Sequence, residues 1–108
     1  VRTRDDMNIF EKLDKVLDAP DWAKENNNHA LIYASILDGA KSNFQLEGHG
    51  HTRAILKIIR ENGYHRDEAS EPGFTKGSLT HWKRNNTRIE FILSNFLGPF
   101  TQIAIIDR

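Results

Sequence analysis

The residues able to do chemistry in this chain are a few histidines and a run of cations. Gly48-His49-Gly50-His51 sets two imidazoles on a stretch that two glycines loosen. A third imidazole, His81, sits in Thr80-His81-Trp82-Lys83-Arg84. Lys76, Lys83, Arg84 and Arg88 surround it, and no Asp or Glu falls between Glu71 and Glu90. Imidazole titrates near neutrality, so it can take or give a proton. Cations beside it favour the neutral form that a general base needs. Lysine and arginine can also stabilise charge building on a phosphorus centre. Base, acid and cations together are what cleavage of RNA through its 2′-hydroxyl requires.

Each of these residues also has a plainer reading. His81 can be a half-exposed strand histidine among solvating charges. His49 and His51 can be an acid–base pair, a phosphate-contacting loop, metal ligands or simply a polar loop. Zinc takes four ligands, and with no cysteine the others would have to be His29, His65 or carboxylates. The spacing matches no metal motif, so neither a metal nor any other cofactor is expected. Trp82 alternates with His81 and reads as core. Exposed, it would be a platform on which an unpaired base stacks beside cations.

The elements that must hold these groups can be read from periodicity. Ile9, Phe10, Leu13, Val16 and Leu17 form one apolar stripe, which predicts a helix over residues 6–18 that ends before Pro20. Residues 29–37 are apolar nearly all round and predict a buried helix, with Asn28 as its cap and Asp38-Gly39 as its stop. Residues 39–51 are polar and read as a loop. Ile55, Leu56, Ile58 and Ile59 predict a third helix, capped by Thr52 and ended by Asn62-Gly63. Residues 65–73 read as an exposed loop. From Leu79 the period becomes two, with a turn at Asn85-Asn86, a strand through Ile89, Phe91 and Leu93, a turn over residues 95–99 and a last strand from Phe100 to Ile106.

These elements predict one α+β domain over residues 1–108. Three N-terminal helices precede an antiparallel sheet of three to four strands. Residues 1–50 read as a helical extension, and residues 51–108 as a helix plus the sheet.

Composition narrows the function. Fifteen basic and fifteen acidic side chains cancel, so attraction to a polyanion has to come from the local basic strip. The absence of cysteine excludes disulfides and thiolate metal sites. No apolar run is long enough to span a bilayer and no leader peptide is visible, so a cytoplasmic location without membrane contact is expected. The start at Val1 and the stop after Ile105-Ile106-Asp107-Arg108 suit a piece of a longer protein.

The C-terminal half resembles the HicA-type mRNA interferases, small toxins with a fold similar to double-stranded-RNA-binding domains. The likeness rests on a helix running from Ile55 into Asn62-Gly63-Tyr64, then Lys76-Gly77-Ser78, then Trp82, Lys83 and Arg88-Ile89. The segment between Tyr64 and Lys76 is longer than the family norm, and residues 1–50 have no counterpart. The family's catalytic histidine follows Gly-Ser directly, where this chain has Leu79; His81 lies two residues on.

The resemblance implies a small RNA-directed, toxin-like ribonuclease that is metal-independent and has a cognate inhibitor or antitoxin. In that reading His81, or else His49 and His51, moves the proton. Lys76, Lys83, Arg84, Arg88 and Trp82 hold the RNA. The alternative is a non-catalytic module that binds nucleic acid or protein in a regulatory or inhibitory role, and Leu79 in the histidine position favours it. In a variant of that alternative the edge of the hairpin pairs with another protein.

Overall fold

A computed structural model describes residues 13–73 and 78–107 of the chain. Most of the helix expected over residues 6–18, with Ile9 and Phe10, lies outside the described residues, and so does Lys76. Residues 13–17 are helical and form the described part of α1. Leu13 and Leu17 are exposed there, and Val16 is half-buried.

Helix α2, Asp21–Lys24, is one turn entered from Pro20. Helix α3, Asn27–Asp38, is capped by Asn26 instead of Asn28. The Asn26 side chain accepts from the amides of Asn28 and His29, which leaves those first-turn donors satisfied. Gly39 ends the helix in the left-handed region at φ 68°, its amide donating to the Ser35 and Ile36 carbonyls. Ala30, Ile32, Ala34, Ser35 and Ile36 are buried, consistent with a central helix.

Helix α4, Thr52–Glu61, turns Ile55, Ile58 and Ile59 inward. His51 occupies its cap position, while the Thr52 hydroxyl donates to the His49 carbonyl. Asn62 and Gly63 stop it as expected; Gly63 has φ 81°, and the Asn62 side-chain amide donates to the Ile58 carbonyl.

Five strands form one antiparallel sheet: β1 Ser42–Glu47, β2 His65–Arg66, β3 Leu79–Arg84, β4 Thr87–Ser94 and β5 Phe100–Asp107. Their spatial order is β1-β5-β4-β3-β2. The expectation of three to four strands falls short of these five, and both edge strands lie in stretches read as loops. β1 lies inside the 39–51 stretch read as a loop, so residues 1–50 are not purely helical. β2 opens the 65–73 stretch, also read as a loop. Both edge strands are short or polar, and each is held by one neighbour, so neither has the apolar content that marks a central strand.

Phe44, Leu46, Trp82, Ile89, Phe91, Ile103 and Ile105 line one face of the sheet and pack with Ile32 and Ile36 of α3 and with Ile55, Ile58 and Ile59 of α4. Helices α3 and α4 thus cover this side of the sheet. The opposite face carries Asn43, Gln45 and Glu47 from β1, Gln102 and Ala104 from β5, Arg88, Glu90 and Ile92 from β4, and His81 and Lys83 from β3.

Candidate functional site

Strand alternation decides what the hairpin displays. Lys83 stands opposite Arg88, His81 opposite Glu90, Trp82 opposite Ile89 and Arg84 opposite Thr87. His81, Lys83 and Arg88 therefore share the face away from the helices, while Trp82 and Arg84 share the helix-covered face. The turn between the strands places Asn85 at φ 53°, a left-handed position that asparagine tolerates.

Arg84 is built into the fold. Its Nη1 donates to the Asn62 carbonyl at 2.9 Å and its Nη2 to the Leu37 carbonyl at 3.0 Å. The same group lies 4.5 Å from the centre of the Tyr64 ring. One guanidinium so satisfies carbonyls at the C-terminal ends of both α3 and α4, where free acceptors and the helix dipole favour a cation. The packing is close enough that a Cβ on Gly39 would lie 3.1 Å from Thr87 Oγ1 and 3.3 Å from Arg84 Nη2.

Trp82 is 5% exposed and belongs to the core. Its indole N–H donates to Thr80 Oγ1 at 3.0 Å, and Arg60 and Arg66 lie 5.5 and 5.9 Å from the ring centre. A ring enclosed in this way has no free face for a base, so the stacking role expected of it is corrected. Its burial follows from its register with Ile89.

His81 is 6% exposed although it lies on the side away from the helices. Its cover is the 3₁₀ turn Glu68–Ser70, which folds back from β2. Ser70 Oγ lies 2.8 Å from Nδ1, and Glu90 Oε2 lies 3.4 Å from Nε2. Nε2 is buried and forms no hydrogen bond. Serine, imidazole and carboxylate stand in line here, yet the Ser70 hydroxyl also reaches the Asp67 carbonyl at 3.1 Å, which ties it to its own turn. Both backbone groups of His81 are used as well. Its carbonyl accepts from Asp67 N at 2.8 Å, and its amide donates to Glu71 Oε2 at 2.8 Å.

Glu71 completes this edge. Its two oxygens take Arg66 Nε at 2.5 Å and Nη2 at 2.8 Å. These hydrogen bonds from Arg66, and then the one from the His81 amide, hold its carboxyl at about 2, against burial, which acts the other way. The carboxylate stands where the next residue of a strand would accept from β3. The outer edge of the hairpin is thereby occupied by the chain's own residues from His81 to Lys83.

The other two histidines serve different contacts. His49 Nε2 donates to the Ser94 carbonyl at 2.8 Å, linking the segment before α4 to the end of β4. His51 Nδ1 lies 2.9 Å from His29 Nε2, with the rings edge to face at 86° and centres 5.2 Å apart. Burial first, and the neighbouring His51 second, lower the His29 pKa. Among the described residues no hydrogen bond or ring contact joins His81 to His49 or His51, and no group of three or more His, Asp or Glu side chains is set to hold a metal ion.

What the fold does bring together is a row made of two cations, Lys83 and Arg88, and the imidazole of His65. His65 pairs with Lys83 across β2 and β3, and Lys83 pairs with Arg88 across β3 and β4. The three lie side by side on adjacent strands, about 4.8 Å apart per step. His65 and Lys83 are exposed and Arg88 is half-buried. Among the described residues neither Lys83 nor Arg88 has a carboxylate at ion-pair distance. Arg88 Nε is buried without a hydrogen-bond partner. A cleft of about 430 Å³ opens beside this row, with His65, Arg66, Lys83 and Arg84 on its walls and Asp67 as its one acid.

His65 was legible in the sequence only as a loop residue. Its place in the row depends on β2, which two residues cannot announce. No family model, curated protein or solved structure matches this chain.

Proposed function

We propose that this chain is a non-catalytic binding module whose ligand is an RNA backbone, held on the row His65, Lys83 and Arg88. The observation that carries the reading is the direct opposition of Lys83 and Arg88, with no carboxylate at ion-pair distance among the described residues. Like charges opposite each other on a sheet are destabilising. The arrangement is relieved when an anion sits between them. Guanidinium and ammonium groups are the usual partners of phosphate oxygens. The cleft beside the row gives a phosphate room to enter.

Binding without cleavage is favoured over a ribonuclease for a geometric reason. A general base has to reach the proton that it removes. His81 is enclosed by Ser70, Glu71 and Glu90, and His49 and His51 are engaged elsewhere. The likeness of the C-terminal half to the HicA-type interferases points toward RNA as the polymer. Leu79 in place of the family's histidine points toward binding without turnover.

The test is fluorescence anisotropy of labelled single- and double-stranded RNA over a salt series, with cleavage followed on gels. The expected result is salt-dependent binding, intact RNA, and a log–log salt slope about one unit shallower in Lys83→Ala. No binding to either RNA at low salt, or cleavage that His81→Ala abolishes, would overturn the reading.

A further inference from the structure

Among the described residues no strand lies beside β1 at the second edge of the sheet. The amide of Gly48 donates to the Pro99 carbonyl at 2.9 Å, which directs the backbone groups of Gly48 toward β5. Backbone direction alternates along an antiparallel strand. Ser42, Phe44 and Leu46 therefore bond β5, where their partners are Ile105, Ile103 and Thr101. Asn43, Gln45 and Glu47 direct their N–H and C=O groups outward, where the described residues provide no strand partner. The side chains of the same three residues are exposed. β1 carries neither proline nor an inward-pointing charge, two of the devices that protect an edge from pairing.

The composition of this edge is complementary to itself. When two copies of β1 run antiparallel about a two-fold axis at Phe44, the residues facing each other sum to 88 in number. Asn43 then faces Gln45 of the second copy, amide to amide, and the outward backbone groups of both meet in register. Lys41, just before the strand, faces Glu47 of the second copy. By symmetry each of these pairs occurs twice.

On the helix-covered face Phe44 meets Phe44 across a non-hydrogen-bonded pair, where side chains come closest. Aromatic pairs and opposite charges in facing positions are both favourable in sheets. Moving the axis to Glu47 would set Glu47 against Glu47. Moving it to Asn43 would leave Glu47 without a facing lysine.

We propose that β1 pairs with β1 of a second copy in this register, joining two five-stranded sheets into one. The inference is independent of RNA binding, since the cation row lies at the opposite edge of the sheet. Phe44 is half-buried in the single chain and is an apolar side chain that the pairing would cover.

The test uses the whole chain. Analytical ultracentrifugation over a concentration series should give a reversible monomer–dimer equilibrium. Hydrogen exchange should show the Asn43 and Gln45 amides protected in the dimer and unprotected on dilution. Glu47→Lys, at an exposed position, sets lysine against Lys41 twice and should raise the dissociation constant about tenfold or more with an unchanged circular dichroism spectrum. The double variant Lys41→Glu with Glu47→Lys reverses both charges and should restore the dimer. A chain that stays monomeric at every concentration would overturn the proposal. A dimer indifferent to Glu47→Lys would do the same, because its contact would lie elsewhere.

Discussion

Arg84 donates from Nη1 to the carbonyl of Asn62 at 2.9 Å, so the tip of the β3–β4 hairpin is fastened to the end of α4. Its Nη2 reaches Leu37 at the end of α3, so a single planar group ties three elements. Lysine cannot reproduce that fork. Arg84→Lys is expected to cost about 2–3 kcal/mol, in the range for losing hydrogen bonds to a charged donor. Urea denaturation with an unchanged m value measures it. A loss below half of that would mean that the helix ends are held mainly by apolar packing.

The opposition of Lys83 and Arg88 predicts a trade between stability and binding. Lys83→Thr removes a like-charge pair and adds a residue that suits a strand. It is expected to leave stability unchanged or raise it by up to about 0.5 kcal/mol, while weakening RNA binding. Thermal melts and anisotropy on the same samples decide the matter. A variant that is less stable would indicate that the ammonium makes a favourable contact in the free protein.

His81 works as a latch in this structure, holding the turn Glu68–Ser70 on the sheet. His81→Ala empties a buried position and leaves the Ser70 hydroxyl with the Asp67 carbonyl alone. A destabilisation of about 2–4 kcal/mol is expected, with increased hydrogen exchange confined first to residues 67–71. RNA affinity, measured well below the melting temperature, should change little. Loss of binding without loss of stability would return His81 to the ligand site.

The His29–His51 contact predicts a pH dependence. The ring that accepts must be neutral at the accepting nitrogen, so the contact is lost when both rings are protonated. The folded-state pKa of His29 lies below 6.5. Between the two values the unfolded chain binds the proton that the folded chain resists, so stability rises with pH there. The contribution is complete above 6.5 and is lost as pH falls through the lowered folded-state value. Urea midpoints between pH 7.5 and 5 should fall, and His29→Phe should flatten that slope. An equal slope in the variant would assign it to another group.

Glu71 adds a second, more acidic step. Its carboxyl is held at about 2 against a usual 4.5. Its contribution is present above 4.5 and is lost as pH falls toward 2, because the unfolded chain protonates first. Glu71→Gln keeps the shape but weakens the bonds from Arg66 and the His81 amide. A loss of about 1–3 kcal/mol at neutral pH is expected, together with a smaller further loss on acidification than in the parent chain. Identical acid titrations of the two proteins would rule this out.

The local pattern of residues was enough to locate α3, α4 and the strands β3, β4 and β5, because burial of one face imposes a period of 3.6 or 2 on the chain. It was also enough to locate the turn at Asn85 and the stop at Gly63, where few residues tolerate the backbone. Those signals are carried by neighbouring residues. The two outer strands were not legible. β1 is recognisable only once β5, nearly sixty residues later, provides its partner, and β2 is two residues long.

The candidate site divides along the same line. The acid-free basic hairpin is a property of the sequence itself. Which of its cations reach solvent depends on what covers each face of the sheet. Two helix ends claim Arg84, the core claims Trp82, and a turn closes over His81. Lys83 and Arg88 remain together with a histidine that sequence alone left in a loop. Only the pairing of distant strands could decide this, because a side chain's availability is set by the packed layer above it.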